Sequence, residues 1–598
     1  MKLPSLRQVV EGSTQTFLRF PMVILNAAIG TVAALILIDF EGPPQETFLF
    51  DILLAALIGI PFLTALALVA EKRKLARPVG IVLQIAGMIL LLGYALTLPR
   101  NLDAAPAMHL ARFFLLFASM HLLVAWVPFS SRGEVKGFWH YNKELLLRIL
   151  LAALYSMVLW IGLSIALVAL KQLFGVDIPG KRYPELWILI AGLFNTWFFL
   201  AGVPGNLASL EARMDYPKGL KIFTQYILIP IILVYLVILY AYAGKIVVEW
   251  SWPKGWVSGL IIGFSTTGIL SLLLLHPIRE QGENVWIRTV SRWFYVVLIP
   301  LVVMLVLAIW RRIGEYGVTE SRYLGVLVGL WLAAMVVYFL VSRAKSIKVI
   351  PASLFVIGLL ISAGPWGMFS VSERDQVARL QTLLTQNKIL VDGKVRTAPE
   401  PLGFDARKDI CSIFRYLHDM HGYGAVQSWF AEPIGVDTTG TPGKGRDPRL
   451  IAKLIGIEYV DQWQGVSGSV AFVSADKKKR IALAGYDRLL GFEGGTLADS
   501  VTGLLLRMEL PGARLSAQRS EPSSGVDSIS IDLRPVLDDV MKDYGQGSTN
   551  AVPPERLSAT AAGRTFRMKV YIRHVRFSRQ AEGLTILGCE ADVLVSTR

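Results

Sequence analysis

Long uncharged apolar runs break up the first 370 residues, and they decide the architecture. A helix rises 1.5 Å per residue, so about 20 apolar residues cross the ~30 Å hydrocarbon core of a bilayer. Lipid offers no partner to an unpaired backbone amide, which leaves helices as the way across. Eleven stretches qualify: 20–38, 48–70, 79–98, 107–129, 145–170, 184–203, 222–244, 256–275, 293–309, 323–341 and 349–369. Only 18% of the 598 residues are charged, against about 25% in an average soluble domain, and 54% are hydrophobic. A disordered chain, a fibrous repeat and a purely soluble enzyme are thereby excluded. The expected fold is an α-helical polytopic membrane bundle of about 11 transmembrane helices over residues 1–370, followed by a soluble α+β domain over 371–598.

Lysine and arginine in short loops set orientation. Residues 1–19 and every second loop thereafter carry nineteen, the intervening loops nine, so the N-terminus is expected in the cytoplasm. Eleven crossings then place 371–598 outside it. The contrast is sharpest between Glu71-Lys72-Arg73-Lys74 and the base-free Asp39-to-Gln45 loop. The net charge of +15 lies mostly in the membrane half, so it reads as loop bias toward anionic lipid and not as a nucleic-acid surface. No cleavable signal peptide is visible. Leu6, Val9, Val10 and Phe17 stand at helical spacing, which suits a short surface helix as well as a solvated turn.

Charge inside a bilayer is costly and marks ion or proton paths. No acidic residue lies near a span centre. His121 is the only titratable side chain there, joined in depth by Asn195 and Thr266. These read either as interhelical hydrogen-bonding groups or, for His121, as a proton relay. Pro61, Pro230 and Pro300 interrupt spans, and 222–275 with 293–341 could be a tandem two-helix repeat.

Two outer loops combine aromatics with charge: Trp252 and Lys254 in the first; Arg311, Arg312, Glu315, Tyr316, Glu320 and Arg322 in the second. Arginine grips phosphate bidentately and aromatic rings favour the headgroup level, so these residues could form a headgroup or glycan site. An ordinary aromatic belt with solvated charges is the alternative.

Beyond Ser372 the composition changes. Helices are expected over 373–389 and 406–431, the latter broken at Gly422. Strands are expected over Ser467–Ala475, Arg480–Tyr486, Val501–Glu509, Ser528–Leu533, Thr565–Arg579 and Leu584–Ser596, with a helix near 534–544. Phe566, Met568, Val570 and Ile572 alternate with basic residues and predict a strand with one buried face. Cys411 and Cys589 could form a disulfide or stay as separate buried thiols. No catalytic motif occurs, and no cofactor or metal is expected. His418 and His421 near Cys411 lack an assured third ligand.

Leu18-Arg19-Phe20-Pro21, the Gly202-Val203-Pro204 span end, Tyr216-Pro217-Lys218, the run from Glu315 to Tyr323, Gly364-Pro365-Trp366, Tyr416-Leu417 and His421-Gly422 occur in a telling order. In that order and spacing they resemble the bacterial membrane family catalogued as domain of unknown function 4153. The resemblance implies a bacterial inner-membrane protein, in which the orientation read from the loops makes 371–598 a periplasmic domain; it brings no activity or catalytic residues. Three functions stay open. The first is a non-enzymatic envelope protein that binds a lipid, glycan or protein partner at its outer face and assists its transfer. The others are a secondary transporter or channel, and a membrane enzyme on a lipid-linked substrate with Glu315, Glu320 and Arg322 as first candidates.

Overall fold

The computed structural model describes the chain except for residues 1–5, 41–46, 100, 103–104, 214, 250–255, 280–284, 343–345, 437–443, 461–468, 475–484, 493–495, 500–503, 510–513, 522–524, 545–548, 565, 581–582 and 598. The expected Arg480–Tyr486 strand falls largely outside the described residues; a strand is found just after it, at Arg488–Phe492.

Among the described residues a helix, α1 (Leu6–Arg19), leads into ten helices long and apolar enough to cross a membrane: α2 (Pro21–Ile38), α3 (Phe48–Lys72), α4 (Arg77–Leu96), α5 (Met108–Phe129), α6 (Val135–Phe174), α7 (Arg182–Ala201), α8 (Lys218–Glu249), α9 (Val257–Ile278), α10 (Ile287–Tyr316) and α11 (Glu320–Val341). The eleventh expected span is a shorter apolar helix, α12 (Val349–Ile361), of 13 residues or about 20 Å. Its surroundings explain how so short a helix serves. Just before it, the Lys348 ammonium reaches the carbonyls of Phe129 and Ser131 at one end of α5. Just after it, Met368 and Phe369 pack with Met108, Ala111 and Leu115 at the other end. The bend over 362–367 adds the length that the helix lacks.

Side-chain ties define two faces of the bundle. On the N-terminal face Arg19 pairs with Glu71 and donates to the carbonyls of Val203 and Pro204, and Lys72 pairs with Glu134 at 2.8 Å. On the opposite face Lys181 meets Asp39 at 2.6 Å. α6 is 40 residues long, about 60 Å, and starts ten residues before the expected span. The extra turns are held on the N-terminal face, where Gly137 N–H donates to Glu211 and Lys143 pairs with Asp215.

Beyond the bundle come α13 (Met368–Gln386), the two-residue strands β1 (Leu390–Val391) and β2 (Lys394–Val395), α14 (Phe404–Met420) and α15 (Pro448–Leu454). Gly422, at φ +74°, ends α14 where the sequence predicts a break. The chain divides into two compact units, Met1–Ala406 with Ile413–Ile457, and Arg407–Ser412 with Glu458–Arg598.

The second unit packs two sheets. One joins β4 (Arg488–Phe492), β12 (Gly583–Thr597), β11 (Phe566–Gln580), β3 (Ser469–Ser474) and β9 (Thr549–Val552) in that order, with β10 (Ser558–Ala562) also on β11. The other is the antiparallel meander β5 (Thr496–Asp499), β6 (Leu504–Glu509), β7 (Arg514–Glu521) and β8 (Gly525–Asp532). Phe566, Met568, Val570 and Ile572 are buried as the alternation predicts, against Leu504, Leu506, Leu515 and Ile531 of the meander and Leu537 of α16 (Arg534–Tyr544). The β11–β12 hairpin pairs from Phe566↔Thr597 to Gln580↔Gly583, and an irregularity after Ile572 shifts the buried phase to Val575. β5, β7, β9 and β10 were not expected: they are short, or too polar to alternate.

Candidate functional site: an intramembrane groove

Polar side chains gather at two places in the first unit. The first is the turn between α10 and α11, where the second outer loop was expected to offer a headgroup site. Gly317 takes φ +71°, and a Cβ there would stand 2.6 Å from both Asp375 Oδ2 and Gln376 Nε2 of α13. The close approach lets Val318 N–H donate to Asp375 at 2.6 Å, while the Gln376 amide donates to the carbonyls of Tyr316 and Val318, both at 3.0 Å. Arg322 donates to the Tyr316 and Gly317 carbonyls at 2.9 and 2.6 Å and lies over the Tyr316 ring. Arg311 pairs with Glu315 at 2.7 Å. Arg312 is exposed beside them. Trp252 and Lys254 lie outside the described residues.

Glu320, 8% exposed, opens α11 and meets the segment after α13. The Tyr416 hydroxyl donates to its two carboxylate oxygens at 3.0 and 2.9 Å, and His421 Nε2 stands 2.8 Å from Oε1 and 3.0 Å from that hydroxyl. Burial, then the adjacent carboxylate, pushes the Tyr416 hydroxyl above its ordinary range, so it stays a donor. Ala107 N–H adds a bond to the Asp419 carbonyl at 2.8 Å. Most of the residues expected to grip a ligand are thus engaged with the protein; Glu320 ties α14 to the bundle, and Asp375 and Gln376 tie α13 to it.

The second place is at membrane depth. His121 and Asn195 line one cavity of about 470 Å³, with Leu57, Pro61, Phe117 and Leu145. Thr266 is not among its lining residues and lies exposed on α9. His121 Nδ1 is 2.8 Å from the Phe117 carbonyl of its own helix, and Asn195 Oδ1 accepts from Ser156 at 3.3 Å.

This cavity does not stand alone. It shares Leu57, Ile60 and Ala191 with one of about 560 Å³ that reaches Leu37, Ile38 and Phe50 near the opposite face. It shares Ala125, Asn142 and Leu146 with one of about 600 Å³ that reaches Lys143, Pro217 and Ile347 at the N-terminal face. Each falls within the ~300–1,000 Å³ of small-molecule sites. The two that share Ala191 form a groove along α7, and the third adjoins it between α5, α6, α8 and α9; the three linings are apolar except for His121, Asn195, Asn142, Lys143 and a few hydroxyls.

Two backbone irregularities open it. Pro61 removes one ladder bond of α3, and residues 190–194 of α7 form a π turn, a device common at functional sites. Gly192 in that turn lies against α2, where a Cβ would run into Thr31 Oγ1. The sequence signals His121, Asn195 and Pro61 but not the π turn, since i→i+5 bonding leaves no residue pattern.

In the second unit Cys411 and Cys589 are not joined. Cys411 Sγ accepts from Val460 N–H at 3.4 Å, while Cys589 sits in the sheet opposite Val575, where burial pushes its thiol up to about 12. Among the described residues no three His, Cys, Asp or Glu side chains stand together to hold a metal.

Compared with known proteins, residues 32–382 match the model of the family described as Domain of unknown function (DUF4153). The uncharacterized protein PM1469 of Pasteurella multocida (strain Pm70) is 24% identical over 352 residues, 58% of this chain and 57% of that protein. The chain thus spans little more than half the length of that relative. No solved structure matches. The family match runs from α2 to α13 and takes in most of the groove, together with Gly317, Glu320 and Gln376. By that match over more than half of its length, the chain belongs to the DUF4153 family of proteins.

Proposed function

We propose that this integral membrane protein is a non-enzymatic lipid-handling protein of the bacterial inner membrane. It admits a phospholipid laterally into the groove along α7 and assists its movement between leaflets. One observation carries this reading: three cavities share lining residues in turn, from near one face to the other, and His121 and Asn195 line the middle one. Acyl chains suit the Leu, Ile and Phe walls. His121 and Asn195 offer hydrogen bonds where a headgroup would otherwise cross unsolvated. The bias of nineteen basic residues to nine supports a cytoplasmic N-terminal face, with residues 371–598 periplasmic. The anchored α13 and α14 would then stand over the outer end of the bundle, where a glycan or protein partner could receive the lipid.

Native mass spectrometry of the gently solubilised full chain tests the reading. Ala191→Trp fills the junction of two cavities, and co-purifying phospholipid should fall roughly tenfold, the equivalent of 1.4 kcal/mol. Equal lipid on wild type and variant would contradict it.

A further inference from the structure

The second half of the bundle holds a cavity of different chemistry. It is about 630 Å³ and lies by the first turns of α10, where Arg288, Arg292 and Tyr295 follow one helix face, joined by Arg279 and by Phe339 of α11. Arg288 and Arg292 are exposed, and among the described residues neither has a hydrogen bond or ion pair. They are like charges one turn apart, an arrangement that costs an isolated helix about 0.2–0.5 kcal/mol. Arg288, in the first turn, also sits at the helix end whose own dipole is positive, which disfavours it further. The sequence keeps them where nothing in the described structure offsets the repulsion. An anion in the cavity reverses every one of those terms.

The donor set narrows the anion. Guanidinium groups present paired N–H donors that match two oxygens of an oxyanion, and adjacent arginines together suit a phosphate, whose free oxygens outnumber the two of a carboxylate and which a halide lacks. Tyr295 and Phe339 stack at 4.9 Å, nearly parallel at 15°, and form an apolar wall beside the basic one. Trp293, 61% exposed at the same level, is a side chain that favours a bilayer interface. The cavity shares no lining residue with the groove along α7 and does not depend on it.

We propose that the cavity bounded by Arg279, Arg288 and Arg292 binds a phosphate group. That group is carried either by an anionic lipid headgroup or by a soluble phosphate ester.

The full-length chain in detergent, carrying Ala191→Trp to close the groove, is titrated with phosphatidylglycerol, phosphatidylcholine of the same acyl chains, and glycerol 3-phosphate. Phosphatidylglycerol should bind roughly tenfold more tightly than phosphatidylcholine. Arg288→Gln/Arg292→Gln should abolish that preference. Arg73→Gln/Lys74→Gln, the same charge change elsewhere on that face, should keep it. Displacement of phosphatidylglycerol by glycerol 3-phosphate assigns the site to a soluble ester. Failure to displace, with the preference intact, assigns it to the lipid. Unchanged preference in Arg288→Gln/Arg292→Gln, or equal loss in the loop control, overturns the proposal.

Discussion

At the turn between α10 and α11, Glu320, Arg322, Asp375 and Gln376 each reach a protein partner, and the backbone bends at Gly317 to allow it. In the groove, His121 bonds to a carbonyl of its own helix and Asn195 accepts a 3.3 Å bond from Ser156, and both line a cavity. The residue types overlap, yet the roles separate. Polar groups whose partners all lie within the protein hold elements together. Polar groups facing an apolar cavity remain available to something that is not protein. Composition alone cannot tell these apart, because it counts donors and acceptors without showing where their partners are.

Removing one member of each set should expose the difference. Glu320→Ala strands Tyr416 and His421 in a buried site, and breaking a buried pair costs about 3 kcal/mol. Hydrogen exchange should show α14 and residues up to His421 losing protection while the spans keep theirs. Gly317→Ala forces a positive φ on a residue with a Cβ and pushes it into Asp375 and Gln376, at about 2 kcal/mol by the same readout. The anchor should also weaken in alkali. The Tyr416 hydroxyl is raised above the ordinary 10.0, so the folded state holds that proton more tightly than the unfolded one. Its contribution is complete below pH 10 and is lost as pH rises through the elevated folded value; Tyr416→Phe should remove the dependence. In the groove, Asn195→Leu gives up only the 3.3 Å bond from Ser156 and should cost about 1 kcal/mol or less. Its effect should fall on bound lipid instead.

Much of the fold was legible because the strongest signals are periodic or cumulative. Ten of the eleven apolar runs became helices long enough to span, since twenty apolar residues have one outcome in lipid. The eleventh ends early: Gly364 and Pro365 turn the chain before the apolar run is exhausted. The β11–β12 hairpin was legible from strict alternation over Phe566 to Ile572. Of the meander, β6 and β8 were legible but β7 between them was not, because Arg514–Glu521 mixes charge into both faces of the strand.

Of the sites, His121 and Asn195 could be singled out for being polar at depth, but their sharing a cavity rests on helix packing and the 190–194 π turn. The engagement of Glu320 and of the Tyr316 and Val318 carbonyls was invisible for a related reason: Tyr416 and His421 lie about 100 residues from Glu320, and Gln376 about sixty from the two carbonyls. Arg279, Arg288 and Arg292 were counted only as loop charge. Their convergence needs α10 and α11 in place.

The central claim is that lipid occupies the groove along α7 and does not merely wet the outside of the bundle. Photo-crosslinking the full chain with a phospholipid carrying a diazirine in its acyl chain tests this most directly. Labelled peptides should concentrate on 57–64, 117–125, 145–149 and 187–199, the segments lining the middle of the groove, and fall away in Ala191→Trp. Labelling spread evenly over all lipid-facing helices, and unchanged by that substitution, would contradict the account.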